Sequence, residues 1–195
     1  MFQFEVRNYW AALVPLLEQA PTNELGPGNP HASKRDALAA LGEGDSFTRN
    51  AGGEPLARAC LAGLWLRYDF LDEAHVISQE INTPEGSYWH AIVHRREPDF
   101  ANAKYWFRRV GVHPIDAELA MAGRKIAAEE DTPGAAAYLA EQNVWDAERF
   151  VDLCRQASGK DASLASLCRR VQQCEWELLF DYCFRGAHGD GGWPK

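Results

Sequence analysis

Long apolar runs are missing from this chain. No stretch approaches the ~18 uncharged residues that a membrane span requires, and Met1-Phe2-Gln3-Phe4-Glu5-Val6-Arg7 has neither a basic start nor a small-residue cleavage site. The expectation is a soluble, cytoplasmic protein with no membrane partner. Positive charge is scarce as well. Against 28 Asp and Glu stand 20 Lys and Arg, a net charge of −8, which disfavours phosphate backbones and excludes nucleic acid as a general partner. Alternating β-branched runs are absent, so no strand is expected. The five cysteines, Cys60, Cys154, Cys168, Cys174 and Cys183, are odd in number and form no C-x-x-C pair. Zinc-finger and dithiol chemistry is thereby excluded, and reduced, buried thiols are expected. No G-x-x-x-x-G-K-[ST] loop and no G-x-S-x-G elbow occurs. Leu71-Asp72-Glu73-Ala74-His75 spells a DEAH sequence, but it falls inside a helical pattern where the helicase use of those acids has no counterpart.

What is present is an ordinary globular composition, 46% hydrophobic and 11% aromatic over 195 residues, sufficient for one core. One α-helical domain is expected over 1–185, with a flexible Gly-rich tail at 186–195. Phe4 to Gln19 has helical spacing with Pro15 inside it, and Pro21 to Pro30 is a loop. A short helix is expected from Ser33 to Leu41. Gly42 to Gly53 is expected as a long mobile loop or lid. Leu56 to Glu80 has the period of one long helix, its apolar arc including Leu64, Phe70, Leu71, Ala74 and Ile77. Thr83 caps the next helix with Pro84 at its first position, Pro98 ends it, Asp99 caps the one after, and Gly111 terminates that one. Further helices are expected from Pro114, Ala135, Trp145 and Asp161. The whole is expected to be an irregular all-α bundle, with a tetratricopeptide-like stack of helical hairpins as the alternative.

Most of the unusual chemistry lies between Ser87 and Arg109, where aromatics alternate with nearly every ionisable type. From Glu85 to His113 five cations outnumber three acids, so an anionic small molecule is a candidate ligand. His90 and His94 share a helix face, with Glu97 one turn further on. On the preceding helical pattern Tyr68, Asp72, His75 and Gln79 form a matching edge, and a tight turn at Asn82-Thr83 would bring His75 towards His90. These residues suggest a pocket for acid–base work, with His75 or His90 carrying the proton and Asp72 or Glu97 orienting it. Arg96 falls in the apolar arc among Trp89 and Ile92, and Arg67 falls among Leu56, Leu71 and Ala74. A buried guanidinium needs a carboxylate, carbonyls or an anionic ligand. Arg96, His94, Tyr68, Gln79, Asn102 and Arg109 are the candidate ligand-binding residues, and Glu73, Glu97 and Asp99 are the candidate structural partners of the arginines. Two further possibilities remain open. One is a metal site on His90 and His94. The other is an interaction module that presents the aromatic and basic face to a protein partner. Trp65, Trp106, Trp145 and Trp176 are expected in the core.

The wording of Leu64-Trp65-Leu66, Asp69 to His75, Glu85 to His90 and onward through Arg109-Val110-Gly111-Val112-His113-Pro114 resembles an all-α protein family of bacteria and fungi. Glu175-Trp176-Glu177-Leu178-Leu179-Phe180-Asp181-Tyr182 is similar to that family's C-terminal signature. The resemblance covers about a third of the chain. It implies an all-α fold, and because that family has no established activity it implies no particular function or cofactor.

Overall fold

A computed structural model of the protein describes residues 2–43, 54–129, 134–158 and 161–188. Among them lie ten α-helices and no strand: α1 (Val14–Glu18), α2 (Arg35–Glu43), α3 (Glu54–Arg67), α4 (Leu71–Gln79), α5 (Pro84–Arg96), α6 (Phe100–Val110), α7 (Asp116–Glu129), α8 (Ala137–Glu141), α9 (Ala147–Ala157) and α10 (Ala162–His188). This is an all-α bundle. Consecutive helices pair, but α10 also packs on α3, α7 and α9, and such a distant return is foreign to a solenoid, in which each unit touches only its neighbours.

The cap signals work as their chemistry requires. The Thr83 side chain accepts from Gly86 N, with Pro84 following at the helix start. Asp99 accepts from Asn102 N, and Gly111, at φ +71°, ends α6. Helix α5 is the centre of the molecule, because every residue from Glu85 to Arg96 is buried. A helix enclosed on all sides must find internal partners for its polar side chains. Arg95 does so through a bidentate pair with Glu175 of α10, both side chains fully buried, and Tyr88 Oη donates to the same carboxylate at 3.3 Å. The core around it is one aromatic-rich cluster in which Trp176 stacks on Phe180 and donates its indole N–H to Gly63 O at 2.8 Å.

Several expected elements differ. The segment expected to be helical from Phe4 to Gln19 is a 3-10 turn at Val6–Asn8 followed by α1, with Pro15 in the first turn where its missing N–H costs nothing. The expected long helix from Leu56 to Glu80 is broken at Tyr68-Asp69-Phe70. Phe70 N donates to Trp65 O and Asp69 N to Leu66 O, the two bonds of a Schellman terminus, and the Phe70 ring meets Trp65 edge-on at 5.1 Å. Asp69 occupies the left-handed position usually given to glycine, at φ +62°. Its carboxylate compensates, accepting from Arg96 Nη2, Asn23 Nδ2 and Asn29 N. The C-terminal helix runs through Gly186, Ala187 and His188, three residues into the stretch expected as tail, because Ala187 is buried and His188 packs on Trp10 and Phe184. Gly42 lies in α2, and the rest of the expected lid, 44–53, lies outside the described residues, as do 189–195. All five cysteines are free thiols, four of them buried. No described helix is long and apolar enough to cross a membrane.

Candidate functional site

The α4/α5 hairpin places three imidazoles together. His75 comes from α4, and His90 and His94 come from successive turns of α5. Ring centroids lie 4.5 Å apart for His75 and His90, 4.9 Å for His75 and His94, and 4.7 Å for the nearly parallel pair His90 and His94. One nitrogen from each ring falls within 4.8 Å of the other two. Glu97, the residue that ends α5, sits beside them. Its two carboxylate oxygens lie 3.4 Å from His75 Nδ1 and 3.2 Å from His94 Nδ1. On the far side the Trp106 indole of α6 stacks on His90 at 4.2 Å, with Arg109 held over the same indole at 5.0 Å.

His90 is the most unusual member. It is 3% exposed, and neither of its ring nitrogens has a hydrogen-bond partner. Burial, followed by the neighbouring charges on His75 and His94, pushes its pKa down to about 3. It is therefore a neutral imidazole at any physiological pH. Burial lowers the pKa of His94 too, and His75 adds to that effect while Glu97 and Asp99 oppose it. The cluster is open on one edge, since the His75 and Glu97 side chains are 31% and 27% exposed.

Some expected site residues lie elsewhere. Asp72 is exposed and makes no ion pair with His75, whose carboxylate partner is Glu97. Gln79 is also exposed. Tyr68 belongs to the α3/α4 break, and its hydroxyl donates to Leu16 O at 2.7 Å. Asn102 is engaged with Asp99 at the start of α6. Arg96 is spent on internal acceptors: Gly26 O, Pro27 O, Leu66 O and the Asp69 carboxylate, the last at 2.5 Å. It fastens the 26–27 loop to α5, with Asp69 rather than Glu73, Glu97 or Asp99 as its counterion. Trp106, expected in the core, is half-buried and forms one wall of the histidine cluster. The sequence pattern gave no warning of Glu175 as the partner of Arg95, although a Glu inside the apolar arc of α10 is itself a signal for a buried cation. Comparison with family models, with curated proteins and with solved structures finds no match for this chain.

Chemically, three imidazole nitrogen donors and an adjacent carboxylate form a ligand set for first-row divalent ions such as zinc. Magnesium and calcium prefer an all-oxygen set. The donors need only draw in from at most 4.8 Å to the roughly 3.3 Å that zinc–nitrogen bonds of about 2.05 Å impose in a tetrahedron.

Proposed function

We propose that the protein binds one divalent transition-metal ion through His75, His90 and His94. The observation that carries this reading is the pair of unsatisfied nitrogens on the buried His90 ring. Leaving a polar group buried without a partner costs about 1–3 kcal/mol, and a metal ion bound at one of the two nitrogens removes that atom's share of the cost as a hydrophobic neighbour cannot. Glu97 supports the same reading. A carboxylate lying 3.4 Å from His75 Nδ1 and 3.2 Å from His94 Nδ1 needs only a small shift to accept from both, which would fix those tautomers and leave the Nε2 lone pairs as ligands, the usual outer-shell arrangement around histidine sites. The exposed edge at His75 and Glu97 would give a water or a substrate atom access to a bound ion, which would supply a Lewis acid for acid–base chemistry there.

The test is titration of metal-stripped protein with Co²⁺ and Zn²⁺. One equivalent of Co²⁺ should produce the visible absorption of a low-coordinate nitrogen site, displaced by Zn²⁺, and the spectrum should be absent in His90→Ala. Absence of saturable binding below the millimolar range in the wild-type protein overturns the reading.

A further inference from the structure

Helices α7 and α10 pack together and leave a groove of about 380 Å³ along their contact, within the size range of small-molecule sites. Helix α7 lines it with Glu118, Ala122, Lys125, Ile126 and Glu129, a single stripe at helical spacing, and α10 answers with a stripe from Arg170 to Leu178. That stretch of α10 is roughly 12 Å long at 1.5 Å per residue, so the groove suits an elongated ligand. Phe2 and Phe4 of the N-terminal segment add a further wall. The apolar lining is Phe2, Phe4, Ala122, Ile126 and Leu178. The Cys174 thiol joins it, because burial raises its pKa to about 11 and keeps it uncharged.

The charges on the groove are unequally engaged. Both cations face Glu129, with Arg170 Nη2 at 2.6 Å and Lys125 Nζ at 3.8 Å from its carboxylate. Glu118 accepts from Phe2 N at 3.4 Å, and Glu177 Oε1 accepts from the Gln173 amide at 2.6 Å. Neither of these two carboxylates makes an ion pair with any described residue. Arg67 reaches Glu177 only across Gln173, whose amide oxygen accepts from Arg67 Nη1 while its nitrogen donates to Glu177. Glu177 Oε2 accepts no hydrogen bond from a described residue and is not enclosed, so it stays available to whatever enters the groove. Burial draws Glu177 towards its neutral form, against the Gln173 hydrogen bond and the charge on Arg67. A cation in direct contact would hold the carboxylate ionised.

We propose that this groove binds an aliphatic primary amine, with its chain along Phe4, Ile126 and Leu178 and its ammonium group donating to Glu177. A fatty acid would set its own carboxylate against Glu118 and Glu177 where both lining cations are already engaged. An alcohol would donate a single hydrogen bond without the added strength of a charged donor. The site shares no residue with the histidine cluster, so it stands or falls independently of the metal.

Octylamine is the probe, with octanol and octanoate as comparators. Calorimetric titration of the wild-type protein should show one saturable site for octylamine, at least about tenfold tighter than for either comparator. Hexylamine should bind about tenfold more weakly than octylamine, as the loss of two buried methylenes requires. Glu177→Gln should bring octylamine down to the affinity of octanol, and Ala122→Trp, which fills the groove, should abolish binding of both amines. Octanol or octanoate binding as tightly as octylamine overturns the proposal, as does octylamine binding that Glu177→Gln leaves unchanged. Absence of saturable octylamine binding to the wild-type protein below the millimolar range overturns it whether or not the variants fold.

Discussion

His75 and His90 bring their rings to 4.5 Å of each other from two different helices, and the contact involves no hydrogen bond from His90. The neighbouring His75 adds to burial in disfavouring the charged form of His90, and the two rings together offer a pair of imidazole donors. Replacing His90 by Leu removes an unsatisfied polar ring without changing the core greatly in volume. The melting temperature of metal-free His90→Leu should therefore equal or exceed that of the wild-type protein, while the stabilisation by Zn²⁺ disappears. Calorimetric melting with and without Zn²⁺ reads both, and a His90→Leu protein that still gains the full metal shift contradicts the assignment.

Glu97 touches the cluster only through His75 and His94. Glu97→Gln should keep the one-to-one stoichiometry and weaken Zn²⁺ by about 10–100-fold, the usual effect of losing an outer-shell carboxylate. A competition assay against a chelating dye measures it. Loss of stoichiometry instead of affinity would make Glu97 a direct ligand.

The metal-free protein should lose stability in mild acid. The folded-state pKa of His90, about 3, lies below its ordinary value of 6.5, so between those values the unfolded chain binds the extra proton. Stability is full above pH 6.5 and declines as the pH falls towards 3, at roughly 1.4 kcal/mol per pH unit for this one group. Urea melts at pH 7, 6 and 5 measure the slope. His90→Leu should flatten it.

Arg95 and Glu175 are both fully buried. Removing only the carboxylate leaves a desolvated guanidinium, so Glu175→Leu should cost about 3–5 kcal/mol, whereas the double variant Arg95→Met with Glu175→Leu should recover most of that loss. Denaturant unfolding of the three proteins gives the comparison. Equal losses in the single and double variants would show that the pair itself is a net source of stability.

Asp69 combines a left-handed backbone with a carboxylate that Arg96 needs. Asp69→Gly and Asp69→Ala both forfeit the carboxylate, but only Ala adds strain at φ +62°. Asp69→Gly should be the more stable of the two by about 1 kcal/mol. Both should fall well below Asp69→Asn, whose amide oxygen still accepts from Arg96 and whose backbone tolerates this region. Chemical denaturation of the three variants checks the order.

Much of the helical pattern follows from local chemistry that the sequence displays. Thr83-Pro84, Asp99 and Gly111 mark helix ends because each acts on backbone groups within four residues of itself. His90, His94 and Glu97 share a face because the helical period places them there. The break at Asp69 was hidden for the converse reason. Nothing at Tyr68-Asp69-Phe70 is a glycine or proline, and the left-handed turn is held by Asn23, Asn29 and Arg96, all distant in the chain. The same holds for the partner of His75. Asp72, three residues away on one helix, was the local candidate. Glu97 takes the place because the α4/α5 hairpin carries the end of α5 back past the middle of α4.

The sequence by itself therefore determined the helical class, most of the helix ends and the i, i+4 histidine pair, all of which depend on interactions within a turn or two of backbone. Only the tertiary structure decided that α5 is enclosed on every side. Enclosure turned Arg96 inward onto carbonyls and Asp69, joined Arg95 to Glu175, and left His90 and Arg67 with buried N–H and nitrogen groups that no described side chain satisfies. Burial and counterion choice are properties of elements that meet across long stretches of chain, and the free energy of a buried charge or imidazole depends on what those elements bring to it.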